Sequence, residues 1–171
     1  MWYQDSKTFV RNYIVDSENY TVRFTGGSIM ISDVKTGAVL RRRGGFTYLY
    51  TGGVSPDESQ FFALENGKHF YVYSMKDFSL IKRITLPRGY EAIDVTGFYS
   101  EDGTEIIIPA SRYVYDGKTE TYQDSMLYEP IEKKTGHYEY VLFRYCSDKL
   151  ILSAKEPVAD YKEFRKYGWK F

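Results

Sequence analysis

The most concentrated charge in the sequence is the run Arg41-Arg42-Arg43, which is followed by Gly44 and Gly45. Three guanidinium groups beside a flexible diglycine could bind a phosphate group or an acidic partner, because arginine forms paired hydrogen bonds to such oxygens. The run also suits the exposed edge of a β-sheet, where charges discourage pairing with other sheets. Because side chains alternate along a strand, Arg42 should point away from its two neighbours. We predict the three arginines as partner-binding residues, with the charged edge as the alternative.

Tyrosine is the second candidate for a binding surface, since the sequence holds 18 tyrosines and several recur two residues apart. Such pairs face one side of a strand, and tyrosine combines a large apolar area with a hydroxyl group at low entropic cost. It is equally suited to fill the space between packed sheets. We predict Tyr73 and Tyr115 as partner-contacting residues. Both roles stay open for the pairs, which are Tyr48 and Tyr50, Tyr71 and Tyr73, and Tyr113 and Tyr115.

Residues that often carry catalysis or bind metals are few and far apart. The sequence has two histidines, His69 and His137, and one cysteine, Cys146. A zinc site built from them would need three remote residues to converge, with no short ligand spacing to support it. We expect His69 to be a hydrogen-bonded structural residue and Cys146 a buried thiol. No catalytic residue, metal or cofactor is predicted, and a non-catalytic role is favoured over an enzyme.

The overall composition limits the classes of partner and compartment. Lys plus Arg and Asp plus Glu both number 23 in 171 residues, so the formal net charge is zero. Nucleic acid is not an expected partner, because phosphate contacts call for excess positive charge. The N-terminus lacks the pattern of a secretory signal, and no apolar stretch reaches the ~18 residues of a membrane-spanning helix. A cytoplasmic protein without a membrane partner is therefore expected.

The elements that must position these residues are short strands in a repeating order. Apolar runs and period-two alternations are separated by turn residues, and aromatic residues, at 18% of the sequence, favour β-structure. Turn aspartates recur at steps of 41, 45 and 46 residues, at Asp16, Asp57, Asp102 and Asp148. Repeats of roughly 40–45 residues with four strands each are typical of propeller blades.

We therefore predict an all-β fold with about four propeller-like blades of four-stranded antiparallel sheet in a single domain over residues 1–171. The expected blades cover residues 9–43, 46–86, 91–128 and 137–171. A plain β-meander or sandwich with evenly spaced hairpins is the alternative. The segment 161–171 should cover one end of the array, either as a short helix or as a closing strand. The diglycines at 26–27 and 52–53 are expected to be turns or bulges.

Three turn sequences carry a family resemblance. Ser55-Pro56-Asp57 and Ser100-Glu101-Asp102-Gly103 are similar to the turn between a blade's first two strands, and residues 31–40 to the turn between its third and fourth. In these features the chain resembles the WD40-like and YVTN-type β-propeller families. The physical sense is that an aspartate accepts hydrogen bonds from amides two residues on, while glycine supplies the positive φ that closes the turn. The repeats are degenerate, because no Gly-His pair precedes a repeat and no Trp-Asp pair ends a third strand.

The resemblance implies either a four-bladed disc or half of a larger propeller. It also implies a non-catalytic scaffold that presents a disc face or loops to a protein partner, although fold does not fix function. One alternative is a carbohydrate-binding protein or an enzyme with a site at the central opening. Another is a fragment or half-propeller that functions only as a homodimer.

Overall fold

The computed structural model of the protein describes residues 13–93, 97–123, 126 and 130–167, which form three antiparallel sheets. Sheet 1 has the order β1 (Tyr13–Asp16), β2 (Tyr20–Thr25), β3 (Ser28–Asp33) and β4 (Val39–Gly44). Sheet 2 has the order β5 (Leu49–Val54), β6 (Gln60–Glu65), β7 (His69–Ser74) and β8 (Leu80–Thr85). Sheet 3 has the order β10 (Phe98–Tyr99), β11 (Glu105–Tyr122), β12 (Ile131–Cys146) and β13 (Leu152–Val158), and β9 (Glu91–Ala92) also pairs with β11.

The middle sheet is buried on both faces, which makes the three sheets a stack in chain order. Successive residues of β6 point to opposite sides, so Phe61 and Ala63 pack with the core residues of sheet 1. Phe62 and Leu64 pack with those of sheet 3. All four side chains are fully buried, as expected for a continuous apolar run in a strand covered on both faces.

Two of the four turn aspartates, Asp57 and Asp102, accept the hydrogen bond from the amide two residues on that the sequence predicts. Asp57 Oδ1 accepts the Ser55 hydroxyl at 2.7 Å and the Ser59 backbone N–H at 3.0 Å. Asp102 accepts the equivalent pair from the residues two before and two after it, at 2.6 and 3.0 Å. These hydrogen bonds lower the pKa of Asp57 and bring that of Asp102 to about 2. These two turns therefore fix the starts of β6 and β11.

The described residues form three sheets rather than the expected four. Sheets 1 and 2 span residues 13–44 and 49–85 and so fall on the predicted segments 9–43 and 46–86, of which residues 9–12 lie outside the described part, but the described parts of segments 91–128 and 137–171 contribute to the same sheet. The reason is that β11 pairs with β12 along its whole length, from Glu105 and Cys146 to Tyr122 and Ile131. The step of 46 residues before the fourth aspartate thus measures one long hairpin and not a repeat.

Sheet 3 carries an insertion in the hairpin between its second and third strands. Equivalent turns before the fourth strand hold Asp33, Asp77 and Asp148. In each sheet, the aspartate in the turn before the second strand is followed by the aspartate in the turn before the fourth strand. The separation of the two is 17 residues in sheet 1, 20 in sheet 2 and 46 in sheet 3, so sheet 3 exceeds sheet 2 by 26 residues. Strands β11 and β12 are accordingly 18 and 16 residues long, against 6 for β6 and β7. Beyond Ser111 they form a two-stranded ribbon that extends roughly 30 Å at the usual rise of a strand.

Cations on the fourth strands join each sheet to the next. All three sheets show one register shift between the third and fourth strands, and the residues paired directly beside it are Arg41, Lys82 and Ala154. Arg41 donates to the Lys76 carbonyl oxygen in sheet 2 at 2.6 Å, and Lys82 donates to the Leu150 carbonyl oxygen in sheet 3 at 3.0 Å. In sheet 3 the corresponding residue is Ala154, whose side chain cannot donate a hydrogen bond.

The outer face of sheet 3 is covered by a short 3₁₀ helix, Tyr161–Tyr167. Phe164 is fully buried and packs against Ile107 and Leu142. The helical alternative for the C-terminal segment is therefore confirmed over these residues. Positions 168–171, which the closing-strand alternative relied on, lie outside the described residues.

Candidate binding surface on the inserted hairpin

Five tyrosines form a continuous aromatic row at the base of the inserted hairpin, which we call the tyrosine surface: Tyr113, Tyr115, Tyr138, Tyr140 and Tyr161. Tyr113 lies directly opposite Tyr138 in the β11–β12 register. The ring centroid of Tyr113 is 5.0 Å from those of Tyr115 and Tyr138, with edge-to-face geometry. Tyr140 continues the row, 6.3 Å from Tyr138 and 6.2 Å from Tyr161. Such contacts favour a preformed surface.

The row is open to solvent, although its residues are large. Tyr115 is 62% exposed and Tyr138 58%, against 3% for Tyr73 in the core. Tyr138 and Tyr140 also border a groove of about 340 Å³ together with Ile93, Ser111 and Tyr161. Exposed aromatic patches of this kind mark interaction sites more often than scattered surface residues do.

A second cavity, which we call the basic groove, lies between the loop of residues 85–91 and the base of the hairpin. Its volume is about 530 Å³, and its lining includes Lys68, Arg88 and Arg112 beside Tyr113. The guanidinium carbon of Arg112 is 5.0 Å from the ring centroid of the buried Tyr90. Arg112 also donates to Glu139 at 2.7 Å, and this hydrogen bond raises its pKa. The groove thus joins fixed positive charge to an aromatic wall.

The local sequence explains why the hairpin bends at its base. A side chain at Gly136 would overlap the carbonyl group of Val114, so only glycine fits opposite Tyr115. The register then shifts between Tyr115 and Thr119. Within this bulge Asp116 accepts the Lys118 N–H at 2.9 Å and the Thr135 hydroxyl at 2.7 Å. Bulges of this type redirect side chains next to functional sites.

The structure places the predicted arginines away from this surface. They lie on β4, where Arg41 and Arg43 point toward sheet 2 and Arg42 is exposed on the other side. Arg43 donates to the Phe78 carbonyl oxygen at 3.0 Å, and its guanidinium carbon is 5.1 Å from the Tyr73 ring centroid. Two of the three arginines therefore join neighbouring sheets, and the predicted alternation is present.

The tyrosine pairs divide between the two roles that the sequence left open. Tyr71 and Tyr73 stack on each other at 6.0 Å and pack with the core between sheets 1 and 2. Tyr73 is buried, so its side chain is not accessible to a partner in this structure. Tyr115 is exposed, as a partner-contacting residue must be. Tyr138, Tyr140 and Tyr161 were not among the predicted residues, although the first two have the same two-residue spacing as Tyr113 and Tyr115.

His69 has the structural role that we expected. Its Nε2 lies 2.8 Å from Oε2 of the buried Glu65, which also accepts the Tyr71 hydroxyl at 2.8 Å and the Thr47 N–H at 2.6 Å. Burial raises the pKa of Glu65, but these hydrogen bonds outweigh it and hold the pKa below its usual value. The carboxylate thereby ties the linker before β5 to the turn between β6 and β7.

Cys146 differs from the expectation of a buried thiol. It is partly exposed, and its thiol donates to Asp148 at 2.7 Å in the turn before β13. Within the described ranges, no group of three or more His, Cys, Asp or Glu side chains could hold a metal ion. None of the helices in the same ranges has the length and apolar character needed to cross a membrane.

Comparison with known proteins shows similarity of fold. No family model and no curated protein matches the chain. Two structures of acylaminoacyl peptidase from Pyrococcus horikoshii match 92% of this chain and 27% of the peptidase. Their identities are 12% and 13%, with TM-scores of 0.59 for the orthorhombic crystal form and 0.60 for the uncomplexed form. Hydrazine synthase from Kuenenia stuttgartiensis matches 92% of this chain and 53% of its own, at 13% identity and a TM-score of 0.47.

The chain thus shares an all-β fold of antiparallel sheets with propeller-like structures. It spans about a quarter of the length of the peptidase that it matches.

Proposed function

We propose that the protein is a non-catalytic scaffold that binds a protein partner through the tyrosine surface. The observation that supports this most is the location of Tyr115 and Tyr138, which are the most exposed tyrosines among the described residues, on an insertion that sheets 1 and 2 lack. Insertions in repeat arrays fall on loops of one face, which is often the binding face. Tyrosine is also enriched among the residues that dominate binding energy.

The proposal extends to the architecture and the compartment. We propose that the stacked sheets are degenerate propeller-type blades of a cytoplasmic protein, on the basis of the turn sequences and the single cysteine. Completion of the array by a second copy, and a carbohydrate or enzyme site at a central opening, stay predictions from the sequence.

The test compares two double variants in affinity capture from the native lysate, with quantitative mass spectrometry. Tyr115→Ala with Tyr138→Ala removes the two most exposed tyrosines of the surface. Leu80→Ala with Ile81→Ala is the matched control, because both residues are 50% exposed on β8 of sheet 2. We expect the first variant to lower recovery of a stoichiometric protein by about tenfold and the control to retain it.

Circular dichroism of both variants establishes that they fold. Equal recovery from the two variants, with both folded, would show that the tyrosine surface is not the contact.

A further inference from the structure

We propose that the basic groove binds an acidic, extended segment of the partner, which adds as a strand to the edge of β11 beside Tyr113 and Tyr115. This inference rests on the proposed function and names the chemistry of the partner at the same site. It follows from the edge of β11, from the charges that surround it, and from the condition of the other sheet edges.

The edge of β11 is left unpaired at the groove. Strand β9 pairs with β11 only through Glu91 with Ser111 and Ala92 with Ala110. Before this pairing the chain turns away at Gly89, with a φ of 85°, and the Tyr90 N–H donates to the Pro87 carbonyl oxygen at 3.1 Å. From Arg112 onward, no strand in the described part of the chain pairs with this edge. Its backbone N–H and C=O groups can therefore accept an added strand.

The length of this edge sets the length of the bound segment. The regular register of β11 continues from Arg112 to Tyr115 and is then interrupted by the bulge. A segment of about four residues can thus pair before the edge changes direction. Alternation places Tyr113 and Tyr115 on one face of the added strand and Arg112 on the other.

Basic residues predominate in the lining of three cavities beside the same edge. Three cavities that share Tyr138 have three acidic residues in their lining, Glu91, Glu132 and Glu139, against six basic residues, which are Lys68, Arg88, Arg112, Lys133, Lys134 and Lys155. Since the whole chain has zero net charge, this excess is local.

Only some of the basic residues in these cavity linings form ion pairs with the acidic ones, so the others can contact an acidic ligand. Glu139 pairs with Arg112 at 2.7 Å, and Glu91 pairs with Lys68 at 3.5 Å with both side chains more than 60% exposed. An exposed pair of this kind is weak and exchanges easily. An acidic segment therefore meets complementary charge without displacing a buried ion pair.

The other edges with basic residues are less suited to such a partner. Arg41 and Arg43 on β4, and Lys82 on β8, donate to carbonyl oxygens of the next sheet. Strand β13 contains Pro157, which has no N–H to donate to an added strand. Among the described edges, that of β11 combines unpaired backbone, exposed tyrosines and uncommitted cations.

The experiment titrates the full chain with three capped peptides of roughly eight residues. The first alternates Glu and Val, the second alternates Lys and Val, and the third alternates Glu and Pro, which keeps the negative charge but cannot pair as a strand. Binding is followed by fluorescence anisotropy and by backbone amide shifts. We expect saturable binding of the Glu-Val peptide alone, with the largest shifts at residues 112–115 and about tenfold weakening in about 0.5 M NaCl.

Charge-reversal variants locate the contact. Arg88→Glu with Lys134→Glu should weaken Glu-Val binding by about tenfold, because both side chains are exposed and each lines a cavity beside Tyr113 and Tyr115. Lys35→Glu with Arg42→Glu makes the same change in net charge on exposed side chains of sheet 1 and should have little effect. Circular dichroism establishes that both variants fold.

Three results would overturn the proposal: equal binding of the Lys-Val or Glu-Pro peptide, equal loss in the two variants, or no saturable binding at millimolar peptide. Tighter binding of a single-stranded oligothymidylate than of the acidic peptide would also overturn it and indicate a nucleic-acid ligand. If the acidic peptide fails while loss of Tyr115 and Tyr138 still abolishes protein capture, only this inference falls. Failure of the capture experiment instead removes the proposed function itself.

Discussion

Arg42 and Arg43 are neighbours in the chain but have different surroundings. Arg43 donates to the Phe78 carbonyl oxygen, and its guanidinium carbon lies 4.9 Å from the Phe78 ring centroid. Arg42 is paired with Met30 in the register of β3 and β4. Its side chain is exposed on the face of sheet 1 that points away from sheet 2. Because side chains alternate along a strand, Arg43 contacts sheet 2 while Arg42 faces solvent.

The first prediction compares alanine at these two positions. Arg43→Ala should lower the free energy of unfolding by about 1–2 kcal/mol, because it removes a hydrogen bond and a cation–π contact at the joint. Arg42→Ala should change it by less than about 0.5 kcal/mol. Urea unfolding followed by tyrosine fluorescence measures both values. Similar effects of the two substitutions would show that Arg43 does not stabilise the joint.

The second prediction concerns acid stability. Hydrogen bonds from Ser79 lower the pKa of Asp77 to about 2, and those from Ser100 and Thr104 do the same for Asp102. An unfolded aspartate titrates near pH 4 (about 3.9), so the folded pKa is the lower one. The stability that these carboxylates contribute is present above about pH 4 and is lost as the pH falls toward 2.

Asparagine at both positions keeps an oxygen acceptor but does not titrate. The melting temperature of Asp77→Asn with Asp102→Asn should therefore approach that of the unmodified protein between about pH 4 and pH 2. Above about pH 5 the difference between the two should be constant. Thermal melts across this range measure it, and a gap that is independent of pH would contradict the assignment.

At the scale of elements, the β11–β12 hairpin has two parts with different roles. Its base belongs to sheet 3, where Ile106, Ile108, Val141 and Phe143 are buried in the core shared with sheet 2. The part beyond Ser111 is a two-stranded ribbon, and among its described residues Arg112, at its base, contacts Tyr90 in the body. The ribbon can therefore change without changing the core.

The third prediction is that a chain with a shortened hairpin folds but binds the acidic peptide more weakly. Replacing residues 116–135 with an Asn-Gly turn joins Tyr115 to Gly136, which are opposite each other in the register. Since the described residues among those removed contribute no buried side chain to the core, the melting temperature should fall by less than about 5 °C. The cavity lining beside Tyr115 loses Lys133 and Lys134 together with Glu132, a net loss of one positive charge there, so binding of the acidic peptide should weaken. A chain that fails to fold would show that the ribbon contributes to the core.

At the scale of the whole molecule, local sequence signals account for sheets 1 and 2 but not for sheet 3. Period-two alternation and the aspartate turns mark each strand of the first two sheets within a few residues of its observed bounds. Asp148 carries the same turn signal and lies almost one period after Asp102, so spacing alone suggests a fourth repeat. Only the long-range pairing of Ile106 with Tyr145 reveals a single sheet.

The tyrosine surface, like sheet 3, is not predictable from local sequence signals alone. Tyr115 could be nominated from its spacing to Tyr113, and Tyr138 and Tyr140 share that pattern 23 or more residues later. What brings the two pairs together is the register of β11 against β12, and a register between distant strands is set by core packing rather than by local composition. The placement of Tyr161 depends further on Phe164, which anchors the 3₁₀ helix against sheet 3.

The cation joints have a consequence for how this molecule could be lengthened. The stretch that forms sheet 2 contains both an acceptor and a donor. The Lys76 carbonyl oxygen accepts a hydrogen bond from Arg41 of sheet 1, and Lys82 donates one to the Leu150 carbonyl oxygen before β13. Sheet 1 offers only the donor and sheet 3, with Ala154, only the acceptor. A tandem copy of residues 45–87 placed after the original would therefore bring both a cation on its fourth strand and backbone acceptors in its β7–β8 turn, and each interface in a stacked array depends only on its two neighbours. Of the three sheets, the middle one is thus the best suited to be duplicated.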